Sequence, residues 1–445
     1  MNPVCPIAAP EEECSLYTAA YVLTQNEGRD VMENAGIVVS GSRIVCVGHT
    51  EMLEAMYPQA RRTDLGQAVL MPGLINAHTH VSMSLLRGFS DDKALMDWLT
   101  QDIFPQEAKL TPELVELGAL FSMTEMLRTG TTAFYDMYMM AGSVARAADR
   151  IGMRAVVGEN LTRFLPAFGV ESMEAYEDLV RAAAAQWSAH PRIRWAVTPH
   201  APYTTTPDIL RRCRELATET GSLFGMHLAE TRNETEECLR SFGMRPVPYC
   251  HSLGLLQKDS AFFHMVEADE RDWELLAESG CTVVHNPASN MKLASGVAPV
   301  EKMLAAGIPV ALGTDGPASN NAQNMVREMY MASLLQKVNR MEPTAAPAQT
   351  VLDMATRHGA AAIGDPYLGT LEPGARADFT ALSLESPNMQ PVHHIVSNLV
   401  YAATGHEVVL TVVDGRELYR DGKFLTCDYE ALKEEIRKAK KWAQG

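Results

Sequence analysis

Ala68-Val69-Leu70-Met71-Pro72-Gly73-Leu74-Ile75 is an almost wholly apolar run that leads directly into Asn76-Ala77-His78-Thr79-His80. Such a run, closed by polar residues, reads as a buried strand, Ala68–Ile75. Two histidines one residue apart on extended chain project to the same side, so both imidazoles can reach one ion.

The same motif, an apolar strand followed by an amphipathic helix, recurs down the chain. Seven further candidate strands are Thr131–Asp136, Arg154–Val157, Ile193–Thr198, Leu223–His227, Ala261–Met265, Thr282–His285 and Pro309–Gly313. Eight strand–helix units in about 300 residues point to a (β/α)8 TIM-type barrel, assigned here to residues 67–373. Both ends are β-rich instead. Tyr17–Thr24, Gly36–Val39 and Ile44–Val47 precede the barrel; Asp378–Ser383, Val408–Val413 and Glu417–Tyr419 follow it, before a closing helix over Tyr429–Trp442. Residues 1–66 and 374–445 are therefore expected to meet in one small β-sandwich.

Composition narrows the function. The chain has 445 residues, 47% hydrophobic and 21% charged, as expected of a protein with a large core. Its net charge of −17 repels phosphate backbones and anionic membranes, so neither nucleic acid nor membrane is expected as a partner. A small-molecule substrate is expected instead, and a homo-oligomer is possible. No stretch approaches the roughly 20 apolar residues that cross a bilayer. Glu11, Glu12 and Glu13 stand where a signal peptide would be basic and then apolar. Eight scattered cysteines without a CxxC suggest reduced thiols and a cytoplasmic location.

In a barrel, the carboxyl ends of the strands converge on one mouth, where chemistry is done. His200 follows the fourth strand. His227 ends the fifth, with Glu230 three residues on. His264 lies on the sixth strand, His285 ends the seventh, and the eighth leads into Gly313-Thr314-Asp315-Gly316. Six of 13 histidines thus fall at strand ends, a clustering that scattered structural histidines rarely produce. His406-Glu407-Val408-Val409-Leu410 begins like HExxH but lacks the second histidine, and there is no PCxxC, P-loop or GxGxxG.

Nearly the whole chain resembles the amidohydrolase superfamily, specifically the branch of 5′-methylthioadenosine/S-adenosylhomocysteine deaminases with its chlorohydrolase-like relatives. The resemblance rests on residues 71–80, Met83-Ser84-Leu85-Leu86-Arg87-Gly88, His227-Leu228-Ala229-Glu230-Thr231, His285-Asn286-Pro287-Ala288-Ser289-Asn290 and Gly313-Thr314-Asp315-Gly316. It implies that His78, His80, His227 and Asp315 ligate one divalent metal. That donor set suits Zn2+ and also accepts Fe2+, Mn2+ or Ni2+. His200 stands where two-metal relatives keep a bridging lysine, which favours a single ion. By the same resemblance Asp315 and Glu230 move protons, and His264 stabilises the attacking hydroxide or the tetrahedral adduct. Glu107 binds a ribose diol, Trp98 lines the nucleoside pocket and His200 donates to the adenine ring.

The implied reaction is hydrolytic removal of ammonia from an adenine nucleoside: 5′-methylthioadenosine, 5′-deoxyadenosine, adenosine or, less directly, S-adenosylhomocysteine. Relatives that accept the last use arginines after the third strand. Here that segment is Gly158-Glu159-Asn160-Leu161-Thr162-Arg163-Phe164, with Arg163 the only nearby cation and Glu159 where the first arginine is sought. Two other readings stay open: a guanine, pyrimidine or triazine hydrolase on the same fold, and a non-catalytic barrel scaffold. The role of His285 is open as well.

Overall fold

The computed structural model describes residues 14–163, 170 and 172–444. Five strands come first: β1 (Cys14–Leu23), β2 (Val31–Ser40), β3 (Arg43–His49), β4 (Arg61–Asp64) and β5 (Ala68–Pro72). Eight parallel strands follow: β6 (Leu74–Thr79), β7 (Thr131–Tyr138), β8 (Arg154–Leu161), β9 (Ile193–Pro199), β10 (Leu223–Leu228), β11 (Ser260–His264), β12 (Thr282–His285) and β13 (Val310–Leu312). The last four are β14 (Phe379–Ser383), β15 (Val408–Val413), β16 (Arg416–Arg420) and β17 (Lys423–Phe424). The closing helix spans Tyr429–Gln444.

Strands β6 to β13 pair in sequence order, the ring of a (β/α)8 barrel. Alternation along the strands separates inside from outside. Ala133, Tyr135 and Met137 of β7 join Val156, Ala196, Phe263, Val284 and Ala311 in one core, while Phe134 packs into the larger cluster shared with the helices. Side chains reinforce the seam between β13 and β6. Asn76 accepts from the Thr314 amide (2.9 Å) and donates to the Thr314 hydroxyl (2.7 Å). The Asp315 amide donates to the His78 carbonyl (3.0 Å). Gly313 is glycine for a reason of space: a β-carbon there would meet the His78 backbone at 2.8 Å.

The terminal strands form one nine-stranded, mostly antiparallel sheet in the order β17-β16-β15-β14-β5-β1-β2-β3, with β4 alongside β1. It folds back so that Arg43 pairs with Arg376, enclosing Tyr17, Ile37, Ile44, Leu70, Phe379 and Val412. One expected strand is corrected. Ala68–Ile75 is two strands, because Ala68–Pro72 pairs with β1 and β14 whereas Leu74 begins the barrel. The chain crosses between them at Gly73, where a β-carbon would lie 2.1 Å from the Thr132 hydroxyl. The cysteines also depart from an all-reduced set: Cys46 is disulfide-bonded, while Cys213, Cys238, Cys250, Cys281 and Cys427 are free thiols. No described helix is long and apolar enough to cross a membrane.

Candidate active site

The strand ends deliver a single pocket, lined among others by His80, Trp98, Glu107, Tyr138, Asn160, His200, His227, Glu230, His264 and Asp315. At its base, ligand atoms of His78, His227, His264 and Asp315 all lie within 4.8 Å of one another. His80 belongs to the same group, its Nε2 3.2 Å from Asp315 Oδ1, with His78 Nε2 at 3.3 Å from that oxygen.

Backbone and side-chain acceptors set the imidazole tautomers. Nδ1 of His80 faces the Met137 carbonyl, Nδ1 of His227 the His200 carbonyl (2.9 Å), and Nδ1 of His264 the Asn290 Oδ1 (2.8 Å). Each acceptor draws the ring proton to Nδ1 and leaves the Nε2 lone pair available, the usual outer support of a metal-bound histidine. His78 is fully buried, yet beyond the Asp315 oxygen 3.3 Å from Nε2 its ring has no partner in the protein, and Nδ1 has none at all. A buried imidazole left so is costly unless something else binds it. Burial pushes His78 and His200 down to about 3, and His227 well below its ordinary value, so these rings are neutral. Burial opposes a charge on Asp315 as well, but its contacts with His78 and His80 hold the carboxyl well below the usual range. His80 shows the same attraction for positive charge: despite burial, Asp315 raises it to about 9. Neutral imidazoles and an ionised carboxylate, with a His80 ring whose proton a cation beside Asp315 would displace, make a donor set fitted to a divalent ion.

The second oxygen of Asp315 is held by Ser289 (2.6 Å) and Ser319 (2.8 Å), which leaves Oδ1 aimed at the histidines. The Gln323 amide donates to the Asp315 carbonyl (3.0 Å) and accepts from Thr79 (3.0 Å) and Asn76 (3.1 Å), fastening both metal-side strand ends. Ala229, His264 and Asp315 have φ of 51°, 79° and 60°. Left-handed backbone at residues other than glycine costs about 1–3 kcal/mol each and recurs where a site dictates geometry.

Above this base sit the buried acids. Glu230 is 5% exposed, and burial raises its carboxyl. Burial likewise pushes Glu107 up to about 7, beside the Tyr138 phenol. Glu107 is thus a pocket group, and no solvated helix acid. Trp98 lines the same pocket, its indole N–H fixed on the Ser90 carbonyl (3.0 Å). His200 Nδ1 lies 2.9 Å from the Thr204 hydroxyl, so its other nitrogen is the one offered to the pocket.

Several residues fall elsewhere. Arg163 is exposed and does not line the pocket; its amide binds the Thr204 carbonyl, and Phe164 lies outside the described residues. Glu159 accepts from the amides of Met140 and Ala141 (both 2.7 Å), capping the helix Ala141–Ile151, while the neighbouring Asn160 lines the pocket. Glu159 itself does not line the pocket. His285 is buried outside the pocket wall, and Asn290 supports His264 instead of His285. Tyr138, Asn160, Ser319 and Gln323 were not singled out from sequence. Ser289 and Asn290 stood inside a quoted segment, with nothing local to mark what they would touch.

Comparison with known proteins agrees with this geometry. The Amidohydrolase family model matches residues 69–418. A 5-methylthioadenosine/S-adenosylhomocysteine deaminase of Nitratidesulfovibrio vulgaris is 52% identical over 96% of this chain and 97% of its own length. A deaminase of the same name from Desulfovibrio desulfuricans is 49% identical over 95% and 96%. Among solved structures, an adenosine deaminase from Xanthomonas campestris with bound zinc superposes with a TM-score of 0.92 at 36% identity, covering 96% of this chain and 98% of that one. With a barrel, a histidine–aspartate cluster and a buried acid at its mouth, and with these relatives, the chain belongs to the amidohydrolase family and is a hydrolytic aminohydrolase.

Proposed function

We propose that this protein is a metal-dependent deaminase of adenine nucleosides, converting 5′-methylthioadenosine, 5′-deoxyadenosine or adenosine to the inosine analogue and ammonia. The observation that carries this reading is one pocket holding the imidazole–carboxylate base, the buried Glu230 and, across from them, Glu107 with Trp98. Relatives named for this chemistry support it.

His78, His80, His227 and Asp315 would hold one divalent ion, Zn2+ by its donor set, with His264 close enough to share the cluster. When bound, such an ion lowers the pKa of water enough to supply a nucleophile at neutral pH. Asp315 accepts the proton that the nucleophile gives up. Glu230, whose carboxyl burial raises, donates to the ring nitrogen, and the proton taken up by Asp315 then goes to the amine, which leaves as ammonia with Glu230 as its relay. His264, its Nδ1 anchored on Asn290, offers the Nε2 lone pair to the hydroxyl proton of the adduct. A carboxylate at Glu107 has two acceptor oxygens for the two hydroxyls of a ribose diol, and Trp98 forms a wall for the nucleoside. S-adenosylhomocysteine stays in the substrate panel, since Glu159 is turned into a helix cap. We place the enzyme in the cytoplasm, acting on a small molecule.

The test is ultraviolet absorbance with ammonia release on adenosine, 5′-deoxyadenosine, methylthioadenosine, S-adenosylhomocysteine, guanine and cytosine, using zinc-loaded protein. Turnover of the adenine nucleosides is expected. Silence on all of them with metal bound, or turnover of a bare base alone, overturns the assignment.

A further inference from the structure

A second cavity, of about 780 Å3, opens on the outer side of the barrel between the helices Pro112–Arg128 and Met325–Arg340 and the C-terminal strands, and shares no lining residue with the pocket above. That volume is in the range of small-molecule sites, about 300–1,000 Å3. Its charge runs against the rest of the molecule. Arg87, Arg128 and Arg327 line it against the single carboxylate of Glu125, three positive charges to one negative, or +2 before His406 is counted, in a chain of net −17. Glu125 is already committed, one oxygen to Arg87 and the other to the Gln323 amide (2.9 Å). Arg128 and Arg327 are exposed and have no ion-pair partner among the described residues. Five aromatic residues, Phe121, Tyr330, Tyr401, Phe424 and Tyr429, share the wall with small and polar side chains such as Thr124 and Asn324. Tyr401 is tied to the Ser333 hydroxyl (3.0 Å), and Phe424 packs on Tyr429 with ring centroids 4.8 Å apart.

Guanidinium forks bind phosphate and carboxylate oxygens in pairs, and flat aromatic walls take a ring by stacking. From this juxtaposition of unpaired arginines and fixed aromatic rings, we propose that the cavity binds an aromatic anion of mononucleotide size, distinct from the substrate of the barrel mouth.

The probe is guanosine 5′-monophosphate, titrated calorimetrically into the metal-loaded full-length protein, with guanosine and inorganic phosphate as arms lacking the charge or the ring. The nucleotide is expected to bind more tightly than either arm. Its affinity should fall about tenfold or more in R128E/R327E, which removes two charge-assisted partners. The milder Arg327→Gln should weaken it less, and Tyr330→Ala should weaken nucleotide but not phosphate. Deamination by all three variants should match the parent, which also shows that they fold. No nucleotide binding, equal affinity in R128E/R327E, or guanosine binding as tightly as its phosphate overturns the proposal. So does a change of sedimenting mass in R128E/R327E with no nucleotide effect, because the face is then a contact between copies.

Discussion

Buried charge occurs at both ends of the barrel, and the two ends treat it differently. Underneath, where β8 begins, Arg154 is 5% exposed and fully engaged: Asp378 grips it at 2.8 and 2.9 Å, Asp414 at 3.2 Å and the Pro191 carbonyl at 2.7 Å. At the mouth, His78 Nδ1 and Asn160 Oδ1 are buried atoms with no hydrogen-bond partner in the protein. Charge that only joins the terminal sheet to the barrel is satisfied within the chain. Unpaired buried atoms also occur elsewhere, as at Tyr135 Oη and Trp195 Nε1; what sets the mouth apart among the described residues is that its imidazole and carboxylate atoms lie within 4.8 Å of one another.

Breaking each end in turn separates structure from chemistry. The largest change is expected at the mouth: Glu230→Gln should lower kcat by about 10²- to 10⁴-fold, the usual worth of a general acid–base group, with little change in Tm. Ammonia release and thermal melting measure the two effects side by side. Arg154→Ala should do the reverse. It leaves Asp378 buried and unpaired, at a cost of about 3–5 kcal/mol in urea unfolding, with kcat of the folded fraction preserved. Comparable losses of activity in both variants would erase the distinction.

Metal removal probes the unsatisfied set directly. Stripping the ion with a chelator should abolish turnover and lower stability by about 3–4 kcal/mol, as for a ligand held at 100–1,000 times its Kd. Restoring Zn2+ should recover both, and the stability increment should be the same in Arg154→Ala. The smallest effect concerns Glu107, which burial raises to about 7. Above that pH it is ionised and accepts the diol; below, it is protonated and loses an acceptor. kcat/KM for ribonucleosides should therefore fall as pH drops through about 7, by at most about tenfold per unit. A 2′-deoxynucleoside and the Glu107→Gln variant should show a flatter profile over that window.

The histidines at strand ends were legible because a parallel barrel repeats one simple rule, apolar strand then polar terminus, and the ligand-type residues sit at its punctuation marks. The crossing at Pro72-Gly73 was not legible, since residues 68–75 keep one apolar character while the chain passes from one sheet to another. What decides it is the closeness of Thr132, some 60 positions away in sequence. The residues that orient the site carry no local signature for the same reason. Ser319, Asn290 and Gln323 are ordinary loop or helix residues until the fold brings Asp315 and His264 against them. Glu159 was conspicuous by its charge and took the nearest helix terminus, which no periodicity announces.

The join between Asn76 and Thr314 bridges 238 positions of chain, and beyond it Asp315 Oδ1 lies 3.3 Å from His78 Nε2 and 3.2 Å from His80 Nε2. A nascent polypeptide leaving the ribosome therefore exposes its paired histidines long before the carboxylate that completes their set exists. An ion met earlier could be held only loosely by the incomplete set, so selective binding of a metal would wait until β13 joins the ring.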